Sequence, residues 1–87
     1  MSEGPPRRVG EVWVRREGDQ TAIFDPANGR LTQLNPSALA IWELCDGETR
    51  EDEIVDALVE LTGGTRQSLT DDIRVALAQL RELGLIR

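Results

Sequence analysis

Three observations predict an α+β domain in which a three-stranded antiparallel sheet precedes three helices, in the order βββααα. Up to Leu34 the chain contains short β-branched and aromatic runs that are separated by turn residues. After Leu34 the apolar residues recur at helical spacing, and capping residues precede each helical run. With 87 residues, the chain has room for one small core that buries roughly 60–65% of the unfolded surface.

The sheet is expected to be a meander of three short strands. "EGDQ", residues 17–20, has turn chemistry because Gly18 can adopt a positive φ. In "DPANGR", residues 25–30, Pro26 presets φ for a second turn, and Asn28-Gly29 are expected to supply its left-handed positions. These turns delimit the expected strands, which are Val9–Arg16, Thr21–Asp25 and Arg30–Leu34.

The first helix is expected to begin in "LNPSALAIWELCDG", residues 34–47. Asn35 is a strong N-cap residue, and Pro36 follows it at the first helical position, where a missing N–H costs nothing. Gly47 suits the left-handed position after the last turn. One helical face would then carry the apolar stripe of Ala38, Ile41, Trp42 and Cys45. A thiol buried on this stripe is unreactive, so we interpret Cys45 as structural and Asp46 as serving the turn.

The second helix is expected to start at Thr49, with Asp52 in capping-box spacing, and to end at Gly63-Gly64. Three acidic residues, 51–53, fall in its first turn, where the helix dipole favours negative charge. Without a further ligand cluster, we interpret them as solvated side chains and not as a metal site. The expected apolar stripe is Ile54, Val55, Leu58 and Leu61.

The third helix is expected to start at Ser68, with Asp71 in capping-box spacing, and to end before Gly84. Leu85 and Ile86 would then fold back onto the core. The expected apolar stripe is Leu69, Ile73, Ala76, Leu77 and Leu80.

Composition excludes several functions. The chain has no histidine and one cysteine, so a His-based triad, a Cys/His zinc site and an internal disulfide are impossible. Its net charge of −6 repels phosphate backbones, which disfavours nucleic-acid binding. No signal peptide or membrane span is evident, and we expect a cytoplasmic protein without catalytic residues, metal or cofactor. We expect residues 1–8 to form a flexible arm and residues 9–87 to form a single domain.

The sheet itself offers a binding site. Edge strands expose unpaired backbone N–H and C=O groups, and the third strand could accept an extended peptide as an added strand. Val75 lies off the stripe of the third helix, where solvent is expected. Although isolated exposed valines are common, Val75 suggests a groove between the third strand and the third helix. Spacing alone leaves open which flank of that helix faces the strand.

These residues resemble the PqqD-like family, whose members are also called RiPP recognition elements. The resemblance rests on "IFDPANGRLTQLNPSALAIWELCDGETREDEIVDALVELTGG" followed by "DDIRVALAQLRELGLIR". It implies a winged-helix-like domain that binds the leader segment of a ribosomally synthesised precursor peptide. The leader would dock as an antiparallel strand on the third strand, against the third helix, and be presented to a separate processing enzyme.

The resemblance also implies the contacts. On the strand they would be Arg30, Leu31, Thr32, Gln33 and Leu34, and on the helix Asp72, Val75, Ala76 and Gln79. Leu34 is the residue we most expect to belong to the core instead. The "D-P-x-N-G" hairpin and "LNPSALAIW" look most like the stand-alone leader-binding subunit of lasso-peptide pathways, which partners a leader peptidase.

Alternatives stay open at this point. One is a PqqD-type peptide chaperone that serves a radical SAM enzyme, and another is a winged-helix nucleic-acid binder. A monomer is expected, but a homodimer joined through the same strand edge is possible. An enzyme is disfavoured because no carboxylate pair is singled out by a partner base or an apolar pocket.

Overall fold

The computed structural model describes residues 4–87 and confirms the α+β class. Three strands are followed by three helices in the predicted order. The elements are β1 (Trp13–Glu17), β2 (Gln20–Asp25), β3 (Arg30–Leu34), α1 (Pro36–Glu43), α2 (Glu51–Thr62) and α3 (Arg66–Glu82). α1 packs on β2 and β3, and α3 packs against α1 and α2.

The sheet is an antiparallel meander in the order β1-β2-β3, so β1 and β3 are both edge strands. Ile23 pairs with Val14 on one side and with Thr32 on the other, and it is fully buried. Since side chains alternate between faces along a strand, this register divides the sheet into an inner face toward the helices and an outer face. The prediction that β1 begins at Val9 was wrong, because the chain bends at Gly10 and pairing with β2 starts at Trp13. The expectation of a left-handed Asn28 was also wrong, because the turn needs only one such residue, Gly29, with a φ of 70°.

The segment before β1 lies against the far end of the chain. The Val9 N–H donates to the carbonyl of Leu85, at 3.0 Å, and isolated bridges join Arg7 to Asp46 and Arg8 to Ile86. Residues 1–3 of the expected arm lie outside the described residues. The boundary proposed at residue 8 stays a prediction.

The start of α1 is as predicted, and its end is not. Asn35 caps the helix by accepting a hydrogen bond from the Ala38 N–H at 2.8 Å. The helix ends at Glu43 instead of just before Gly47. Gly47 has a φ of 83° and serves another purpose, since a β-carbon there would lie 2.6 Å from the Arg7 guanidinium.

The predicted starts of α2 and α3 were wrong by one and three residues. The N-cap of α2 is Arg50, whose N–H donates to the side chain of Glu53 at 2.8 Å. Thr49 does not cap the helix because its hydroxyl donates to Asp46, at 3.0 Å. The N-cap of α3 is Thr65, which accepts a hydrogen bond from the N–H of the predicted cap Ser68 at 3.2 Å.

The core lies between the inner face of the sheet, the three helices and the C-terminal residues. Trp42 fastens the end of the chain to α1, because its indole N–H donates to the carbonyl of Leu85 at 3.1 Å. Leu61 was predicted to be buried, but it is 72% exposed. It has the right helical phase, but the last turn of α2 extends beyond the core. The buried apolar residues that form this core are Ile23, Leu34, Ile41, Trp42, Cys45, Ile54, Val55, Leu58, Ile73, Leu77, Leu80, Leu85 and Ile86.

Candidate functional site

A cleft of about 200 Å³ lies beside the open edge of β3. Three elements form its walls, namely the end of β3, the start of α1 and one flank of α3. The lining combines apolar side chains with neutral polar ones, and it is made by Thr32, Gln33, Leu34, Asn35, Ala38, Ala76, Gln79, Leu80 and Leu83. No residue of this lining is ionisable, so the cleft suits a neutral, partly apolar segment.

The five predicted contacts on β3 divide between the two faces of the sheet. Thr32 pairs with the buried Ile23, so it points toward the helices together with Leu34. Leu31 and Gln33 alternate with them and lie on the outer face. Arg30 is exposed at the start of the strand, next to the β2–β3 turn. An added strand would therefore meet side chains on both of its own faces.

Leu34 belongs to the core, as expected for the residue that precedes α1. It is only 5% exposed and pairs with the buried Thr21. Its side chain also forms part of the cleft wall. Because so little of Leu34 is exposed, a ligand could contact it only through the part of its side chain that lines the cleft.

The structure shows which flank of α3 faces β3. Ala76 and Gln79 line the cleft, together with Leu80 and Leu83. Asp72 and Val75 lie one turn earlier on the same helix, are exposed, and are not part of the lining. Val75 is 58% exposed, as its position off the apolar stripe predicted.

Sequence reasoning missed the contribution of α1. Asn35 and Ala38 line the cleft, whereas the sequence placed Asn35 as a cap and Ala38 in the core. Ala38 is in fact half-buried. Its small side chain leaves space between α1 and α3 that a larger residue would fill, but nothing in the local sequence distinguishes a cleft alanine from a core alanine. Whether the nine predicted residues contact a ligand stays a prediction.

The lone thiol is not part of this site. Burial raises the pKa of the Cys45 thiol to about 11, despite the lowering effect of the Arg8 charge. The thiol donates to the carbonyl of Ile41 at 3.2 Å. The uncharged, buried thiol is unreactive at neutral pH, which agrees with its structural interpretation.

Asp46 organises the turn between α1 and α2. Its carboxylate accepts hydrogen bonds from the backbone N–H groups of Glu48 and Thr49, both at 2.8 Å. These bonds, the Glu48 bond first, lower the pKa of Asp46 below its ordinary value. The expected role of Asp46 in the turn is therefore confirmed.

Within residues 4–87, no three His, Cys, Asp or Glu side chains are grouped so that they could hold a metal ion. In the same range no helix is both long and apolar enough to cross a membrane.

Fold and cleft together define a class of small α+β domains in which an open sheet edge lies beside a helix. The family model described as "Coenzyme PQQ synthesis protein D (PqqD)" matches residues 20–86, which is most of the chain. The chain therefore belongs to the PqqD family.

Two solved structures share this fold. One, described as "TbiB1 in Complex with the TbiA(beta) Leader Peptide", superposes with a TM-score of 0.79 at 23% identity, covering 93% of this chain and 94% of that chain. The other, described as "Lasso peptide synthetase B1 complexed with the leader peptide", has a TM-score of 0.76 at 24% identity, with 95% and 98% of the two chains covered. Among curated proteins, no sequence matches this chain.

Proposed function

We propose that this chain is a non-catalytic adaptor in the cytoplasm that binds the leader segment of a ribosomally synthesised precursor peptide and presents it to a processing enzyme. The observation that carries the proposal is the cleft between β3, α1 and α3, which lies directly beside an unpaired strand edge. The two solved structures reported above are both described as complexes with leader peptides.

The leader would add to β3 as a fourth, antiparallel strand, continuing the pattern of the sheet. Each backbone hydrogen bond contributes only about 0.5–1.5 kcal/mol net. Micromolar affinity requires about 8 kcal/mol, which the backbone bonds along the five residues of β3 do not reach without side-chain burial. One apolar leader side chain buried in the cleft adds about 1.5–3 kcal/mol. The cleft therefore supplies both the remaining affinity and the selectivity.

The proposed contacts are the nine predicted residues, with unequal roles. Thr32, Ala76 and Gln79 line the cleft and would contact inward-facing leader side chains. Leu31 and Gln33 would contact outward-facing ones. Asp72 and Val75, outside the cleft, would contact the end of the leader strand that lies nearer the start of α3.

We favour a lasso-type leader peptidase as the processing enzyme, because the two solved structures reported above are described as leader-peptide complexes, one of them of lasso peptide synthetase B1. The second candidate is a PqqD-type chaperone that delivers a precursor to a radical SAM enzyme. The family model, which is named for coenzyme PQQ synthesis, favours that candidate.

A nucleic-acid-binding function has less support. Two arginines of α3 are paired with carboxylates of α2, namely Arg66 with Asp56 and Arg74 with Glu51. This pairing leaves little positive charge on the helix that would have to approach phosphates.

The test is a titration with precursor peptides from the same host, intact and leader-deleted. We expect submicromolar to micromolar binding of the intact precursor, modest salt dependence, and no binding of the leader-deleted form. The proposal would be contradicted if the chain bound both forms with equal affinity, or if it bound neither form. Mass in solution with and without peptide tests the dimer, which would occupy the same edge and compete with the leader.

A further inference from the structure

The outer face of the sheet carries an exposed apolar row, which we call the Trp13 row. It consists of Trp13, Phe24 and Leu31, which are direct cross-strand partners on β1, β2 and β3. Trp13 is 68% and Leu31 63% exposed, and Phe24 is half-buried. The rings of Trp13 and Phe24 lie 5.5 Å apart. With neighbouring strands about 4.8 Å apart, the row crosses the whole sheet.

The rest of the outer face is covered by polar side chains. The next row pairs Arg15 with Ala22 and Ala22 with Gln33, and Ala22 is only 5% exposed beneath its neighbours. Arg15 and Glu17 form an ion pair at 3.7 Å, and the Gln33 amide donates to Glu17 at 3.4 Å. The apolar exposure is thus confined to one end of the sheet, and the charges beside it cancel.

Strand direction places this row at the exit of the leader. β3 runs from Arg30 to Leu34, so an antiparallel leader strand would begin beside Leu34 and end beside Arg30. A leader precedes the segment that becomes the product, so the cleavage site would emerge at the end of the sheet where Trp13, Phe24 and Leu31 lie. Leu31 belongs both to the row and to the strand that would pair with the leader.

We propose that the Trp13 row is the docking surface for an apolar segment of the leader peptidase, which would contact this row and the emerging leader together. The inference rests on the proposed function and adds to it the place where the enzyme docks. Tryptophan is one of the residue types enriched among the side chains that dominate binding energy at protein interfaces. Because the charges beside the row cancel, a neutral apolar segment fits this surface better than a charged one.

A second copy of this chain fits the row less well. The three side chains expose on the order of 300–400 Å², since an aromatic side chain contributes about 150–250 Å² when fully covered. A stable homodimer buries about 800 Å² on each copy. A peptidase that also contacts the bound leader gains the missing area from the leader itself.

The experiment measures two affinities separately for each variant of the full chain. One is the affinity for the synthetic leader, by fluorescence anisotropy. The other is the affinity of the leader-loaded chain for the purified leader peptidase of the same pathway, by biolayer interferometry. The variants are Trp13→Ala and Trp13→Thr, of which the second keeps high strand propensity. The matched control is Val14→Ala, because Val14 is 54% exposed, adjacent to Trp13 and on the opposite face of the strand.

We expect both Trp13 variants to bind the leader within twofold of the wild type and to bind the peptidase at least tenfold more weakly. Val14→Ala should change neither affinity. Peptidase binding that is unchanged in a folded Trp13 variant, or absent for the leader-loaded wild type, would overturn the inference. The inference would also be overturned if analytical sedimentation showed a dimer for the wild type and a monomer for Trp13→Thr. The Trp13 row would then be the interface with a second copy of this chain. Failure of the proposed function is a separate result, namely a wild-type chain that binds no leader.

Discussion

The two edges of the sheet expose the same backbone groups in very different surroundings. All five residues of β1 are exposed, and its outer side carries charged residues, the usual means by which sheet edges avoid unwanted pairing. β3 has the end of its strand buried and a cleft beside it that α1 and α3 complete. The comparison teaches that an open edge becomes a binding site only where other elements supply side-chain contacts.

The charges along the two strands reinforce the difference. β1 contains Arg15, Arg16 and Glu17, whereas β3 has one charged residue, Arg30, at its start. A neutral peptide pairing with β1 would have to displace or desolvate these charges without a cleft to compensate. Three predictions sharpen this comparison and a fourth concerns a turn outside both edges; they follow from the largest expected effect to the smallest.

Filling the cleft should remove the side-chain contacts that distinguish the edge of β3 from that of β1 as a binding site. Ala76 is half-buried on the cleft wall, so Ala76→Phe would occupy the space of an inward-facing leader side chain. We expect leader affinity to fall tenfold to a hundredfold, which corresponds to about 1.4–2.7 kcal/mol. Isothermal titration calorimetry measures the loss. The matched control is Ala78→Phe, since Ala78 is exposed on the same helix and does not line the cleft; an equal loss in both variants would contradict the cleft assignment.

Leader binding should protect one edge and leave the other unchanged. Hydrogen exchange is slowed where an amide gains a persistent hydrogen bond. In β3 (Arg30–Leu34), some backbone N–H groups point away from β2, along the open edge of the sheet. We expect these amides to exchange at least tenfold more slowly when the protein is saturated with leader. Those of β1 (Trp13–Glu17) should be unchanged. Protection of β1, or of both edges in the peptide-free monomer, would show that the edges had been assigned wrongly.

The far flank of α3 should contribute less than the cleft. Val75 is exposed one turn before Gln79 and outside the cleft lining. Val75→Glu is expected to weaken leader binding about threefold to fivefold, or ~0.7–1 kcal/mol, with the fold intact by circular dichroism. Ala78→Glu adds the same charge on a different flank and should have no effect. If Val75→Glu weakened leader binding as much as Ala76→Phe, the main binding site would lie nearer the start of α3 than the cleft does.

The smallest expected effect concerns the turn that supports α1 rather than either edge. The pKa of Asp46 is lowered by the hydrogen bonds that its carboxylate accepts, so the charged form contributes stability above the ordinary aspartate pKa. This contribution is lost as pH falls through the lowered pKa. Asp46→Asn should therefore lower the thermal midpoint slightly at neutral pH, and the difference should vanish in acid. Leader affinity at neutral pH should stay the same, and a difference that grows in acid would contradict this account.

Local patterns determined much of the molecule. The predicted order of the six elements, the cap at Asn35, the ends of α2 at Gly63 and of α3 before Gly84, and the burial of Cys45 all agree with the structure. Each depends on the spacing of apolar residues or on a capping residue a few positions away, and both are interactions within a short segment of the chain. Part of the binding site could be predicted from the sequence for the same reason. The edge strand β3 and the exposed position of Val75 on α3 are both indicated by local sequence patterns.

Tertiary structure alone decided the remaining features. Leu61 is exposed because the end of α2 extends past the core. The α1 wall of the cleft and the alignment of Trp13 with Leu31 across β2 depend on strand register and helix placement. These are relations between segments distant in sequence, and their energies are determined only when the segments pack together.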